Sequence, residues 1–414
     1  MVGARAVLVS ASLGLLLAGC GGRPTGVLVP QPTVEGAHTV EMLVATTRAP
    51  EPSAPGVLFS GERGRGMRFA DIAVSIPPDG ARRIGEVQWP QRTPADPARE
   101  FATVRADVLE PKVTMARFDA RIRRTTDRRV LVFVHGYNTR FEEAVYRFAQ
   151  IIHDSRAPAL PVLFTWPSRG RLIAYGYDRE SAGYSRDALE SVLQTLVDDR
   201  DVREIAVLAH SMGNWTALEA LRQMAIRKGK LSPKIKDVML AAPDVDVDVF
   251  RRQIAEIGDS RPPFTLFVSR DDEALAVSRR VWGDRTRLGA IDPDVEPHRT
   301  ELEREKIIAV DLTDQRSSDT LNHSKFAASP AVVQAIGRRL ASGQTLTDGR
   351  ASLGEKVGQV AVGAASTVGS AAGLAVSAPF AVIDGRTRES LADQFDAVGD
   401  NLGAPMRSAG DVAR

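Results

Sequence analysis

Ser211 lies in a short segment that is typical of an activated serine nucleophile. The apolar run from Glu204 to Ala209 predicts a strand, and helical spacing after Gly213 predicts a helix, so the serine occupies a sharp turn between them. Such a turn lifts the hydroxyl clear of the sheet and places the Met212 N–H at a helix N-terminus, where it can stabilise an oxyanion. Alanine at 209 still provides the small side chain that the cramped turn needs. We therefore predict that Ser211 is a nucleophile, with a structural turn serine as the alternative.

The nucleophile needs an acid partner, which precedes the histidine in an α/β-hydrolase sheet. The apolar run Phe264–Val268 predicts a strand, and Asp271 and Asp272 follow it. A carboxylate at the carboxyl end of a parallel strand points into the crevice where such folds build their sites. We predict that Asp272 is the acid rather than Asp271, and helix N-capping is the alternative role for both. Asp244 also follows a predicted strand and is the second candidate.

His323 is the predicted general base, chosen by elimination among the six histidines of the chain. It lies in a loop after the predicted strand Ile307–Asp311. Two other histidines are parts of motifs: His210 is the variable residue of the serine turn, and His135 belongs to a second motif. The remaining three are interpreted as solvated surface residues: His38, His153 and His298.

The second motif begins with the apolar run Val130–Val134, which predicts a strand buried on both faces of a parallel sheet. Gly136 follows and lets the backbone turn sharply toward a substrate oxygen. The α/β-hydrolase pattern requires a second oxyanion donor from this loop. We predict that the Tyr137 N–H is this donor, with Gly136 beside it. An ordinary strand-to-helix turn would account for the glycine but not for His135.

Six ordered motifs resemble a family of bacterial α/β-hydrolases that is known mainly as a domain of unknown function. The motifs are H-G-Y-N-T at 135–139, F-T-W-P-S at 164–168, Y-D-R-E-S-A at 177–182, A-H-S-M-G-N at 209–214, A-A-P-D-V-D at 241–246 and N-H-S at 322–324. The similarity runs from about Thr39 to Leu340. It implies the α/β-hydrolase fold and a triad of Ser211, Asp272 and His323, and it leaves the substrate open.

The order of predicted elements agrees with that fold without the resemblance. Predicted strands, including Pro161–Trp166 and Ile235–Ala241, alternate with segments that predict helices. This alternation indicates βαβ units and one mostly parallel sheet flanked by helices. The predicted helices include about Phe141–Asp154, Ser181–Asp199 and Val247–Ile257. Three earlier strands are predicted to extend the sheet in antiparallel fashion: Val40–Thr47, Ala70–Ile76 and Thr103–Val108.

The N-terminal residues predict a lipoprotein. An early arginine and an apolar stretch precede Leu-Ala-Gly-Cys, which resembles a bacterial lipobox, so residues 1–19 are predicted to be a signal peptide and Cys20 the lipidated residue. An uncleaved anchor is the alternative. Cys20 is the only cysteine, which excludes an intrachain disulfide and a cysteine nucleophile. Because Gly21 rather than aspartate follows it, the expected location is the outer membrane, on the periplasmic face of the cell envelope.

Flexible or weakly packed segments are predicted on both sides of a hydrolase domain at 39–342. Residues 20–38 are rich in Gly, Pro and Thr and are predicted to be a flexible tether. Residues 343–414 are predicted to be an Ala- and Gly-rich tail. Its uncharged stretch Val357–Ile383 is long enough to cover a bilayer, but its glycines and Pro379 favour a poorly packed tail or peripheral helix over a spanning segment.

Composition limits the other functional classes. With 43% hydrophobic residues, 26% charged residues and a net charge of +2, the chain can bury a large core and has no basic patch for nucleic acid. The alternation of Asp244, Asp246 and Asp248 lacks the glycine and the distal glutamate of a calcium loop, so no metal or cofactor is predicted.

The sequence therefore predicts a serine hydrolase that acts on an ester and is held at a membrane by its lipid anchor. An acyltransferase with the same triad and a non-catalytic envelope-binding lipoprotein are the alternatives. The substrate pocket is expected to depend on Pro167–Tyr184 and Gly283–Lys306, either of which could form a cap.

Overall fold

A computed structural model describes residues 25–317 and 319–342. Within these residues the strands are β1 (His38–Pro50), β2 (Phe59–Ile76), β3 (Ala102–Leu109), β4 (Arg129–Val134), β5 (Leu160–Thr165), β6 (Glu204–His210), β7 (Ile235–Ala241), β8 (Phe264–Val268) and β9 (Ile308–Asp311). The helices are α1 (Pro111–Ile122), α2 (Phe141–Ser155), α3 (Tyr175–Tyr184), α4 (Arg186–Asp198), α5 (Gly213–Lys228), α6 (Val247–Ile257), α7 (Glu273–Val281), α8 (His298–Arg304), α9 (Lys325–Ala328) and α10 (Pro330–Ser342). Short 3₁₀ turns lie at Leu172–Ala174 and Leu288–Ala290.

The strands of the described residues form one sheet in the order β3-β2-β1-β5-β4-β6-β7-β8-β9. The part from β1 to β9 is parallel, whereas β2 runs antiparallel to both of its neighbours. The sequence-based prediction of an antiparallel extension is therefore confirmed. In the parallel part, Val134 pairs with both Phe164 and Ala209, and His210 pairs with Ala241. This register brings the loops that follow β4, β5, β6 and β7 to the same edge of the sheet.

A helical layer covers each face of the sheet. Along β4, Val130 and Val132 pack into one apolar cluster and Leu131 and Phe133 into the other, because successive side chains of a strand point to opposite faces. The first cluster includes residues of α1, α4, α5 and α6, and the second includes residues of α2 and α10. Burial on both faces explains why Val130–Val134 of β4 is continuously apolar.

The structure differs from the predicted helix Ser181–Asp199, which is two helices, α3 and α4. The break is at Ser185, whose hydroxyl donates to Ser181 O at 2.8 Å and lies 2.7 Å from the Thr47 hydroxyl. A serine side chain that bonds in this way competes with the regular helical pattern. The long-range contact to Thr47 on β1 has no local sequence signal.

The structure also differs from the predicted tether in the part of residues 20–38 that it describes. Val27 and Leu28 are buried, and they belong to the cluster on the α2 side of the sheet. The Leu28 N–H donates to Gly56 O at 3.1 Å, and Val27 O accepts from the hydroxyls of Thr103 and Tyr146. The compact domain therefore begins before Thr39. Although the segment is rich in Gly and Pro, burial of the apolar side chains in its Val-Leu-Val run stabilises its packing against the domain.

Some predictions concern residues outside the described ranges: the signal peptide, Cys20, and the tail at 343–414 with its uncharged stretch. Within residues 25–317 and 319–342, no helix combines the length and the apolar character needed to cross a membrane.

Candidate active site

Ser211 lies in a tight turn between β6 and α5, where the chain reverses direction at the edge of the sheet. Its backbone has a φ of 53°, a left-handed conformation that is uncommon for a non-glycine residue and is often found at functional sites. The turn is held by Asn214, whose backbone and side-chain N–H groups donate to Ser211 O at 3.1 and 2.8 Å. A Cβ on Gly213 would lie 2.2 Å from His135 O, so the close approach of the loop after β4 requires glycine there.

The predicted oxyanion loop lies directly against this turn. A Cβ on Gly136 would be 2.7 Å from Ser211 Cβ and 2.9 Å from His210 Nδ1. The structure thus brings Gly136 and Ser211 together, and each of the two predicted donors, Tyr137 and Met212, is the next residue along the chain. Met212 is also the N-cap residue of α5, and the first N–H groups of a helix have no acceptor within that helix. An anion at this point is therefore well placed to receive backbone hydrogen bonds.

Gly136→Ala is expected to lower kcat by about 100-fold, the usual effect of losing one oxyanion donor, because the added methyl group must push the loop away from Ser211. The rate of ester hydrolysis measures this effect, and the unfolding temperature shows whether the variant is still folded. Gly183→Ala in α3 is the matched control, since a Cβ there meets nothing within 4 Å, and it should have near-normal kcat. Equal activity of the two variants would contradict a role of this loop.

Asp272 and His323 are brought together by the loops after β8 and β9. His323 Nδ1 lies 2.7 Å from Asp272 Oδ2, and both residues are buried. The other carboxylate oxygen of Asp272 accepts from the Leu275 N–H at 2.9 Å and caps α7. The orienting and capping roles, which the sequence presented as alternatives, are thus combined in one carboxylate. A carboxylate at Nδ1 places the ring proton there and leaves Nε2 of the neutral ring as the acceptor.

The backbone of His323 is fixed by Asp319, a residue that the sequence analysis missed. Asp319 Oδ2 accepts from the N–H groups of His323 and Ser324 at 2.7 and 2.8 Å, and its Oδ1 accepts from Leu321 N–H at 3.0 Å. An aspartate that bonds to several following N–H groups stabilises a tight turn. The only local signal was an aspartate four residues before the histidine, in a loop rich in Ser, Thr and Asn.

The charges around His323 favour its imidazolium form. Burial lowers the pKa of His323, but the carboxylates of Asp272, Asp319 and Asp244 outweigh burial, and the pKa is raised above its usual value. Burial raises the pKa of the Asp272 carboxyl, and the imidazole and the Leu275 N–H oppose this effect. A buried carboxylate beside the ring is the arrangement that stabilises an imidazolium formed during catalysis.

His210 connects this pair to the serine turn. Its ring centroid is 4.8 Å from that of His323, and its Nε2 lies 3.2 Å from the His323 carbonyl oxygen. Burial lowers the pKa of His210 well below its usual value, so the ring is neutral and can donate from Nε2 to that carbonyl. His210 is the residue immediately before Ser211. Its contacts with His323 therefore place His323 and Asp272 beside the turn that carries the candidate nucleophile.

The two other candidate acids, Asp271 and Asp244, form hydrogen bonds with residues other than His323. Asp271 accepts from Lys325 Nζ at 2.7 and 2.9 Å rather than capping a helix. Asp244 accepts from the Tyr175 hydroxyl at 2.7 Å and the Ser278 hydroxyl at 2.6 Å. Of the three carboxylates, the hydrogen bonds to the imidazole therefore favour Asp272.

A buried arginine holds the loop after β4 in place. Arg48 on β1 has no exposed surface, and its guanidinium donates to Ser168 O at 2.9 Å and Thr139 O at 2.8 Å. It also reaches His135 Nε2 at 3.3 Å, so the His135 proton is on Nδ1, which donates to Gly136 O at 2.8 Å. Burial lowers the pKa of His135 to about 3 and keeps this ring neutral. His135 is therefore a support of the loop rather than a base.

Asp178 on α3 connects the loop after β4 with the loop after β5 through hydrogen bonds to both. Its carboxylate accepts from the Ser168 hydroxyl at 2.5 Å, the Arg169 N–H at 2.9 Å and the Asn138 N–H at 3.3 Å. Burial raises the pKa of Asp178, and these hydrogen bonds and Arg48 oppose that effect. The motifs at 135–139, 164–168 and 177–182 thus meet in one polar network, although the sequence assigned no role to Asp178 or Arg48.

Of the two predicted cap segments, Pro167–Tyr184 contributes more to the site. It carries Tyr175, whose ring packs edge-on against Tyr137 with centroids 4.9 Å apart. From Gly283–Lys306, Arg287 approaches Asp244, with Nε 3.4 Å from Oδ1. The helix α8 in the same segment instead packs on α6, where Glu301 pairs with Arg251 at 2.8 Å.

One group of possible metal ligands lies away from Ser211, at the opposite end of the parallel strands. His38, Asp79 and His153 have ligand atoms within 4.8 Å of one another, and the first two are exposed. His153 is less solvated than the sequence suggested, because its side chain is 18% exposed and its Nδ1 lies 3.1 Å from Asp154 Oδ1. None of these residues belongs to the candidate active site.

Comparison with known proteins identifies the family. Residues 111–339, more than half of the chain, match a family described as "Alpha/beta hydrolase of unknown function (DUF900)". The chain therefore belongs to this family and is an α/β-hydrolase. The predicted fold class, a mostly parallel sheet flanked by helices, is confirmed.

Two further proteins are similar to part of this chain. An uncharacterized protein of Nostoc sp. is 25% identical over 149 residues, which cover 29% of this chain and 38% of that protein. The chain thus spans less than half the length of this relative. The crystal structure of a lipase-esterase related protein from Clostridium acetobutylicum shares 12% identity at a TM-score of 0.30, and the match covers 53% of this chain and 96% of that one.

Proposed function

We propose that the protein is a serine hydrolase that cleaves carboxylic esters through an acyl-enzyme on Ser211. The observation that carries this proposal is the 2.7 Å hydrogen bond between His323 and Asp272 in loops that lie beside the serine turn. The family membership supports hydrolysis, and the order Ser211, Asp272, His323 along the chain is that of α/β-hydrolases.

In the proposed reaction, Ser211 Oγ attacks the carbonyl carbon of the ester while His323 Nε2 takes the hydroxyl proton. The carbonyl oxygen becomes an oxyanion that accepts hydrogen bonds from the N–H groups of Met212 and Tyr137. His323 then donates its proton to the leaving alkoxide, which departs as an alcohol. Water repeats the same steps on the acyl-enzyme and releases the acid and the free serine.

A fluorophosphonate probe tests the proposal directly, because it reacts only with an activated serine. Mass spectrometry of the labelled protein should find the probe on the peptide that contains Ser211, and rates with esters of increasing acyl length should define the chain length that the pocket accepts. Labelling at another serine would reject the assignment. Products formed with an added alcohol distinguish a hydrolase from an acyltransferase, and absence of both labelling and turnover would favour a binding lipoprotein.

We also propose that the hydrolase is anchored to the cell envelope by acyl chains on Cys20, on the basis of the Leu-Ala-Gly-Cys sequence at 17–20. Each buried CH₂ contributes about 0.8 kcal/mol, so several chains on one residue hold a protein firmly. Cys20→Ser is expected to abolish lipidation and move the protein out of the membrane fraction. Cell fractionation and mass spectrometry of the N-terminal peptide check this, and an unmodified cysteine in the mature wild-type protein would overturn it.

A further inference from the structure

A second arginine, Arg287, lies beside the serine turn, and none of the described residues forms a hydrogen bond with its Nε. The Arg287 side chain is 8% exposed, and its Nε lies 3.4 Å from Asp244 Oδ1 without the geometry of a hydrogen bond. A buried guanidinium that keeps unused donors is costly unless a partner binds to it. The Nε is shielded from solvent and faces Asp244, so a further acceptor has to bind at the terminal Nη atoms of Arg287, which donate no hydrogen bond to the described residues.

Asp244 places this arginine close to the candidate nucleophile. The Asp244 N–H reaches Ser211 O at 3.3 Å, so the two residues are neighbours across the edge of the sheet. Its carboxylate accepts from the hydroxyls of Tyr175 and Ser278, which engage both oxygens. Asp244 is thus already well bonded and does not need Arg287 to satisfy its acceptors.

Arg179 adds a second positive charge on the same side. Its guanidinium carbon lies 3.4 Å from the centre of the Trp215 ring, so the cation stacks on an aromatic face and leaves its edges available. Burial lowers the pKa of Arg179, and both Asp244 and Arg287 are among the charges that act on it. Arg179 and Arg287 therefore lie near one carboxylate that already accepts two hydrogen bonds, and neither guanidinium donates a hydrogen bond to a described residue.

We propose that Arg179 and Arg287 form a subsite for a negatively charged group of the substrate, so that the preferred ester carries a carboxylate or a phosphate near the bond that is cleaved. This proposal rests on the proposed function, because it assigns the substrate class of the same site. Guanidinium groups bind both anions through paired hydrogen bonds, and a partly buried site strengthens that attraction relative to water.

The test compares two esters that differ in one charge: the 4-nitrophenyl monoester of glutarate and 4-nitrophenyl valerate. The wild-type protein should prefer the glutarate ester in kcat/KM. Arg287→Met and Arg179→Met should each lower the glutarate-to-valerate ratio by about tenfold or more, the effect of losing one hydrogen bond between charged groups. Arg280→Met is the matched control, because it removes the same charge from an exposed position of α7 and should keep the wild-type ratio.

A wild-type protein that cleaves the valerate ester at least as fast as the glutarate ester would overturn the subsite, and so would an equal loss of the ratio in Arg280→Met. If Arg287→Met does not fold because Arg287 is buried, the ratio of the two rates is tested with Arg179→Met alone, since Arg179 is only partly buried. Inhibition of valerate hydrolysis by free glutarate and by inorganic phosphate distinguishes a carboxylate subsite from a phosphate subsite, since the preferred anion should inhibit at lower concentration.

Binding measurements separate failure of the subsite from failure of the proposed function. Calorimetry of the Ser211→Ala protein with glutarate and with phosphate needs no turnover, and at least one anion should bind more weakly to the Ser211→Ala/Arg179→Met protein by about tenfold. If an anion binds but the wild-type protein is not labelled by the fluorophosphonate, the proposal of an anion subsite stands and the proposal of a serine hydrolase is wrong. Labelling with no difference between anionic and neutral esters and no anion binding would keep the hydrolase and reject the subsite.

Discussion

Ser211→Ala is expected to abolish ester hydrolysis and fluorophosphonate labelling while the protein stays folded. The substitution removes only Oγ, so the space that Gly136 leaves for Ser211 Cβ and the backbone hydrogen bonds of the turn are retained. Removing the nucleophile of a serine triad lowers kcat by about 10⁶-fold, because the base and acid cannot act without it. Hydrolysis of a 4-nitrophenyl ester and gel fluorescence after labelling measure the two losses.

Ser191→Ala is the control for this prediction, because that serine lies exposed on α4 and should keep wild-type rates and labelling. Thermal unfolding should show a cooperative transition for both variants. Labelling that survives in Ser211→Ala would show that another residue is the nucleophile, and the proposed triad would then be wrong.

The sequence predicted the elements whose signals are local. A short, largely apolar run between predicted helices indicates a buried strand, and this pattern predicted β4 and β8 nearly to the residue. The bounds of β7 were predicted as well, although that strand contains Lys236 and Asp237. The serine turn was equally visible, since a small residue at Ala209 and Gly213 is required on both sides of Ser211 by the cramped geometry. The antiparallel extension followed from turns rich in Pro and Gly between β1, β2 and β3.

The sequence did not predict what depends on contacts between distant residues. Arg48 and Ser168 are 120 positions apart, and no residue near Arg48 in the sequence shows that its charge is buried against the loops after β4 and β5. The break at Ser185 depends in the same way on Thr47, and the burial of Val27 depends on Thr103 and Tyr146. The sequence also treated capping and orienting as competing roles for Asp272, although a carboxylate has two oxygens and can perform both.

Asp272→Asn is expected to lower kcat by about 10⁴-fold with little change in folding, the effect of losing the carboxylate that orients and stabilises the catalytic imidazole. Folding is expected to persist because asparagine caps a helix about as well as aspartate, so the hydrogen bond to Leu275 can be kept. Asp271→Asn is the neighbouring control. It weakens the ion pair with Lys325, which still donates to Leu312 O and Thr313 O, and it should change kcat little.

The pH profile gives this prediction a second, independent readout. Because the His323 pKa is raised in the wild type and only the neutral imidazole can act as a base, kcat/KM should rise with pH through an apparent pKa above the ordinary histidine value. Asparagine at 272 removes the largest of the charges that oppose burial, so the residual activity of that variant should rise at lower pH. The acid would instead be Asp244, in the loop after β7, if Asp272→Asn left the acidic limb of the pH profile unshifted. The same conclusion would follow if Asp244→Asn lowered kcat as much as Asp272→Asn does. In that case the hydrogen bond between Asp272 and His323 would hold the loop after β9 in place rather than orient the base.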